Sequence, residues 1–147
     1  MDAADEAVGG EGQLRRLAEL AGRVVDQAAA TPLFAAWRAM PRPQTPRALA
    51  AHSLNLLREW RGGVHVAAVL AAGLSPLDAI MSDGGEFYAQ AFGWPRPWPT
   101  PEENAEAMAG VRETVDAACG VVLDRALSAD EQTELVDLAA KACSQLA

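Results

Sequence analysis

The run Leu57-Arg58-Glu59-Trp60-Arg61-Gly62-Gly63-Val64-His65-Val66-Ala67-Ala68 sets polar chemistry between two apolar stretches. On a helix, Arg58, Arg61 and His65 fall near one another, at spacings of three, four and seven. His52 and Glu59 share an adjacent stripe, also seven apart. Two guanidinium groups can grip a carboxylate or another anionic group through paired N–H donors. An imidazole beside them can orient a ligand or act as a general base, with Glu59 or Asp78 to hold it. The same residues also have a structural reading. Glu59 then pairs with an arginine, Trp60 fills the core, and His65 is a core histidine with its hydrogen bonds satisfied. Gly62-Gly63 is expected to end or kink the helix there.

A second concentration lies between Phe87-Tyr88 and Trp98. It holds two tryptophans, Trp94 and Trp98, two phenylalanines and the chain's single tyrosine, Tyr88. Aromatic side chains on an irregular loop stiffened by proline suit a ligand or partner site, with Tyr88 and Arg96 as polar handles. The alternative is that they plug the end of a helical bundle.

Several kinds of chemistry are not expected. The two histidines lack metal-ligand spacing, and Cys119 and Cys143 form no Cys-x-x-Cys, so neither a metal nor a cofactor is expected. There is no Gly-x-Ser-x-Gly, and the glycine pairs do not make a phosphate loop. No stretch of about 18 apolar residues occurs, as a membrane span would need. The opening MDAADEAVGGEG lacks the apolar core of a secretory signal. A cytoplasmic protein with reduced thiols is therefore expected.

The net charge of −8 is unevenly spread. Leu14 to Gly62 holds eight arginines against three acids, whereas Thr100 onward holds three bases against ten acids. The second stretch is unsuited to a polyanion. The two are expected to attract each other within the fold or across a dimer.

The elements that would position these residues are clearly punctuated. Thr31-Pro32, Thr45-Pro46, Ser75-Pro76 and Thr100-Pro101 each pair a hydroxyl N-cap with proline in the first helical position. Thr100 with Glu103, and Ser128 with Glu131, read as capping boxes. Apolar residues at helical spacing predict helices over about 13–30, 32–40, 46–61, 64–72, 76–81, 86–92, 101–127 and 129–146. The 64–72 run is almost wholly apolar and should be the most buried. No strand pattern appears. The expected fold is an all-α, compact bundle of about six to eight helices, with 1–12 as a disordered acidic tail and 13–147 as one helical domain. The short helices over 64–92 look like a helix-turn-helix. Their last member, Glu86 to Phe92, offers only Gln90 for reading bases, so nucleic-acid binding is not expected.

Thr31-Pro32-Leu33-Phe34-Ala35-Ala36, then Arg58-Glu59-x-Arg61-Gly62-x-x-His65-x-Ala67-Ala68, then Ala71-Ala72-Gly73-Leu74-Ser75-Pro76-Leu77-Asp78-Ala79, together resemble the SalK-type helix-turn-helix family of actinobacteria. The resemblance covers roughly Gln13 to the C-terminus and weakens after Gly93. Members of that family run to about twice this length, with an N-terminal helical region that has no counterpart here. After a Gly-Trp like Gly93-Trp94 they add a recognition helix and a β-wing, where this chain has Pro95 to Pro99.

The resemblance implies a degenerate helix-turn-helix core and a setting in antibiotic or other secondary metabolism. The function it suggests is a small-molecule-binding or accessory protein, with Arg58, Arg61, His65, Trp60, Tyr88, Trp94 and Trp98 as ligand-binding residues. A homodimer or a protein partner would cover the surface left by the missing N-terminal half. The alternatives are a cofactor-independent biosynthetic enzyme, with His65 and Glu59 as its candidate catalytic residues, and a transcriptional regulator derived from a helix-turn-helix ancestor.

Overall fold

The computed structural model describes residues 3–146, with side chains over 10–144. Among the described residues there are seven α-helices, one 3₁₀ helix and no strand, so the fold class is all-α as expected. The helices are α1 (Ala3–Gln27), α2 (Pro32–Arg38), α3 (Pro46–Ala71), α4 (Pro76–Asp83), α5 (Gly85–Ala91), α6 (Ala105–Ala126) and α7 (Ala129–Leu146), with the 3₁₀ helix at Pro101–Asn104 before α6.

Two elements depart from expectation. The first helix opens at Ala3 rather than near Gln13, through a stretch rich in the helix formers alanine and glutamate. Residues 1–2 of the expected tail lie outside the described residues. The second departure is α3, which runs unbroken through Gly62-Gly63. A mid-helix glycine costs only about 1 kcal/mol, and a long helix absorbs that while its hydrogen-bond ladder continues on both sides.

Contacts divide the chain into two compact units, Met1–Arg61 with Gly120–Ala147, and Gly62–Cys119. In the first, α1 packs along α7. Leu17, Leu20, Ala21, Val24 and Val25 form the buried stripe of α1, with Phe34 of α2 and Leu135, Leu138 and Ala142 of α7 also buried. The oppositely charged stretches of sequence meet here as ion pairs. Arg16 Nη2 donates to Glu134 Oε2 at 2.9 Å, and Arg23 Nη2 donates to Glu131 Oε2 at 3.0 Å and to the Ala126 carbonyl at 2.6 Å. These bonds hold the Glu134 carboxyl below its ordinary range and bring Glu131 down to about 2. The Ser128 capping box is complete: Glu131 N donates to Ser128 Oγ at 3.3 Å, and Ser128 N donates to Glu131 Oε2 at 2.9 Å.

In the second unit, α4 packs on both α5 and the 3₁₀ helix. Met81, Ala89, Met108, Val111 and Val115 are buried. Ser75 caps α4 in a full capping box with Asp78, and Asn104 Nδ2 donates to Asp78 Oδ1 at 2.9 Å, tying the 3₁₀ helix to α4. These bonds lower the Asp78 carboxyl, those from Ser75 most of all. Thr100 differs from expectation. Its side chain caps no backbone N–H and donates instead to Glu103 Oε1 at 3.3 Å, and a 3₁₀ turn rather than α-helix follows.

Helices α3 and α5 both end in the same device. Gly73 (φ 74°) and Gly93 (φ 76°) take the left-handed conformation. Leu74 N donates to the Val69 carbonyl and Gly73 N to that of Leu70; Trp94 N donates to Ala89 and Gly93 N to Gln90. These are two Schellman motifs, which satisfy the last carbonyls of each helix.

Candidate functional site

The last turns of α3 are not the most buried part of the chain. Val66 is 56% exposed and Leu70 is 60% exposed, whereas the α1 stripe is fully enclosed. An apolar run shows that a helix needs cover, but the cover depends on neighbours that the run itself does not encode. Here the uncovered face forms one wall of a cavity of about 430 Å³ within the second unit. That volume falls in the range of small-molecule sites.

Each helix contributes one stripe. From α3 come His65, Val66, Val69 and Leu70. From α4 come Pro76, Ala79, Ile80 and Asp83, at spacings of three, four and seven. Gly84, Tyr88 and Phe92, four apart, complete the wall along α5. The Tyr88 ring stacks on Phe92 with centroids 5.9 Å apart and meets Phe87 edge-on at 5.3 Å. The surfaces are aliphatic and aromatic, and the polar groups are His65, Asp83 and Tyr88. Asp83 Oδ1 accepts from Arg112 Nη2 at 2.9 Å, so its charge is already matched. His65 is half-buried and makes no hydrogen bond or ion pair among the described residues, which leaves its imidazole available.

The sequence candidates divide between the two units. His65 and Tyr88 line one cavity. Arg58, Glu59, Trp60 and Arg61 belong to the first unit. There Trp60 is core, 4% exposed, and Arg58 Nη1 donates to Glu59 Oε1 at 2.8 Å. Arg61 is exposed and engaged by a neighbouring group. Trp94 and Trp98 lie in the second unit outside the His65 cavity. Trp98 Nε1 donates to the Trp94 carbonyl at 3.1 Å, and the Arg96 guanidinium sits 4.0 Å over the Trp98 ring. Asp78 is held by Ser75 and Asn104 rather than turned to His65. Sequence reasoning missed Asp83, Gly84 and Ile80, and singled out Phe92 only as part of the aromatic segment. Their spacings were visible, but their shared orientation depends on the turn at Gly84-Gly85.

Among the described residues no group of three His, Cys, Asp or Glu side chains is placed to hold a metal ion. Cys119 is buried, Cys143 is exposed, and no disulfide joins them. No single helix among the described residues is long and apolar enough to cross a membrane.

The last turns of α3, then α4 and α5, follow one another around this cavity. The chain belongs to the helix-turn-helix family, which matches residues 1–107. No curated protein matches the chain, and no solved structure matches it.

Proposed function

We propose that this chain is a small-molecule-binding accessory protein of SalK type, serving actinobacterial secondary metabolism such as antibiotic biosynthesis. The carrying observation is the cavity of about 430 Å³ with apolar walls and an unpaired His65. Such a site suits a largely apolar metabolite with one hydrogen-bonding group for His65 and Tyr88 to orient. A second copy or a protein partner covering the exposed Val66 and Leu70 belongs to the same reading. Equilibrium binding with the pathway metabolites of the native host is the test. His65→Ala and Tyr88→Phe should each weaken binding about tenfold, and unchanged affinity in both removes this placement.

Family membership favours a second reading, a transcriptional regulator. The exposed side chains of α5 include Glu86, Phe87 and Gln90, which offer little to a base edge or a phosphate. A gel-shift experiment with the protein's own promoter region at low salt decides between them. Even weak non-specific affinity would show there, so no shift ends the regulatory reading.

For an enzymatic role with His65 as general base, the candidate orienting carboxylates among the described residues are already engaged. Asp83 is committed to Arg112, Asp78 to Ser75 and Asn104, and Glu59 to Arg58. Incubation with candidate pathway intermediates followed by mass spectrometry would reveal turnover.

A further inference from the structure

We infer that the first unit carries a second ligand site, independent of the His65 cavity, for a small monocarboxylate with an apolar body. A cavity of about 250 Å³ lies between stripes of α1 and α3. That is roughly the share of eight liquid waters. Its floor is apolar, with Val25 from α1 and Leu49 and Leu56 from α3. Gly22 opens it from the α1 side, since a Cβ there would meet nothing within 4 Å.

The polar edge carries Arg15, Arg42 and His52. Arg15 has no hydrogen bond or ion pair among the described residues. Arg42 reaches Asp26 only at 3.9 Å, with both side chains mostly exposed. His52 Nε2 is buried without a hydrogen-bond partner, and a buried polar atom in that condition costs free energy unless something satisfies it. Two under-committed cations beside an apolar floor call for an anion with a hydrocarbon portion, in a chain whose net charge is −8. Glu19 also lines the cavity; Arg16 pairs with it at 2.9 Å but also serves Glu131 and Glu134, so the Glu19 charge is only partly matched. Its presence disfavours a dianion such as a phosphate monoester, and so selects a single carboxylate.

The chain has two histidines, one at each cavity, so imidazole proton–carbon spectra report the two sites separately. The intact chain titrated with phenylacetate should show a saturable movement of the His52 signals while those of His65 hold. Neutral phenylacetamide should bind about tenfold more weakly, as should phenylacetate to Arg15→Gln or Arg42→Gln. Gly22→Leu, which fills the cavity, should abolish the His52 response. Should that variant fail to fold, the two arginine variants still decide, because both sites are exposed. Three results would each overturn the assignment: no His52 movement at high phenylacetate, equal affinity for the amide, or unaltered affinity in both arginine variants. Failure of the His65 cavity to bind a metabolite would leave the His52 response untouched.

Discussion

The Tyr88 ring lies directly against Gly84, one helical turn earlier. A Cβ built on Gly84 would collide with Tyr88 Cδ2 and stand 3.1 Å from Cγ and Cε2. With φ at −121°, Gly84 is required for this close approach and not for a left-handed turn. Gly84→Ala should therefore push the ring aside. We expect a stability loss of about 1–3 kcal/mol, as for other overpacked sites. Metabolite affinity in the His65 cavity should fall about tenfold with it. Thermal melting and equilibrium binding measure the two effects, and a variant with native affinity would show that the ring position does not matter to the ligand.

The exposed Leu70 of the cavity wall should be cheap to alter and the α1 core expensive. Leu70 is 60% exposed and Leu20 is fully buried. Leu20→Ala should cost about 2–5 kcal/mol. Leu70→Ala should leave stability within about 0.5 kcal/mol, the usual range for a surface change, while weakening an apolar ligand. Urea unfolding of both variants at low protein concentration, where the chain is on its own, tests this; comparable losses there would mean that Leu70 is covered within the chain itself.

Gly62 sits inside a continuous helix, and a Cβ there meets nothing within 4 Å. Gly62→Ala should raise stability by about 0.4–1 kcal/mol through the unfolded state alone. A lower melting temperature in that variant would indicate a break in α3 at this point.

Acid should loosen the first unit through Glu131. Its hydrogen bonds to Arg23 and to the Ser128 backbone lower its carboxyl from an ordinary 4.5 to about 2. A carboxyl depressed in the folded state stabilises fully above its unfolded value. That contribution fades as pH drops from 4.5 towards 2. Glu131→Gln should flatten the acid limb of a stability–pH curve over this window and leave its slope near neutrality unchanged. An unaltered acid limb would place the linkage elsewhere.

Much of the architecture was legible because proline writes helix starts in local chemistry. Ser75 and Ser128 add side-chain caps, whereas Thr31 and Thr100, expected to do the same, cap no backbone N–H. Pro32, Pro46, Pro76 and Pro101 each open a helix. Gly62-Gly63 misled because the same residues suit a helix end or an interior, and the choice lies with hydrogen bonding and packing on either side. Of the site, His65 and Tyr88 could be named from residue type, whereas their sharing a wall with Ile80 and Phe92 depends on the turn at Gly84-Gly85. Trp60 shows the converse: an aromatic residue beside arginines looked like a stacking platform, but helical phase turned it into the core.

The glycine closures at Gly73 and Gly93 fix more than helix length. They anchor the ends of two walls of the His65 cavity through backbone hydrogen bonds made during folding. On the small-molecule proposal, a guest would meet walls whose helix ends are already fixed and would forfeit little chain entropy on entry. Its recognition should follow lock-and-key behaviour, with a negative heat-capacity change from apolar burial and sharp discrimination by size.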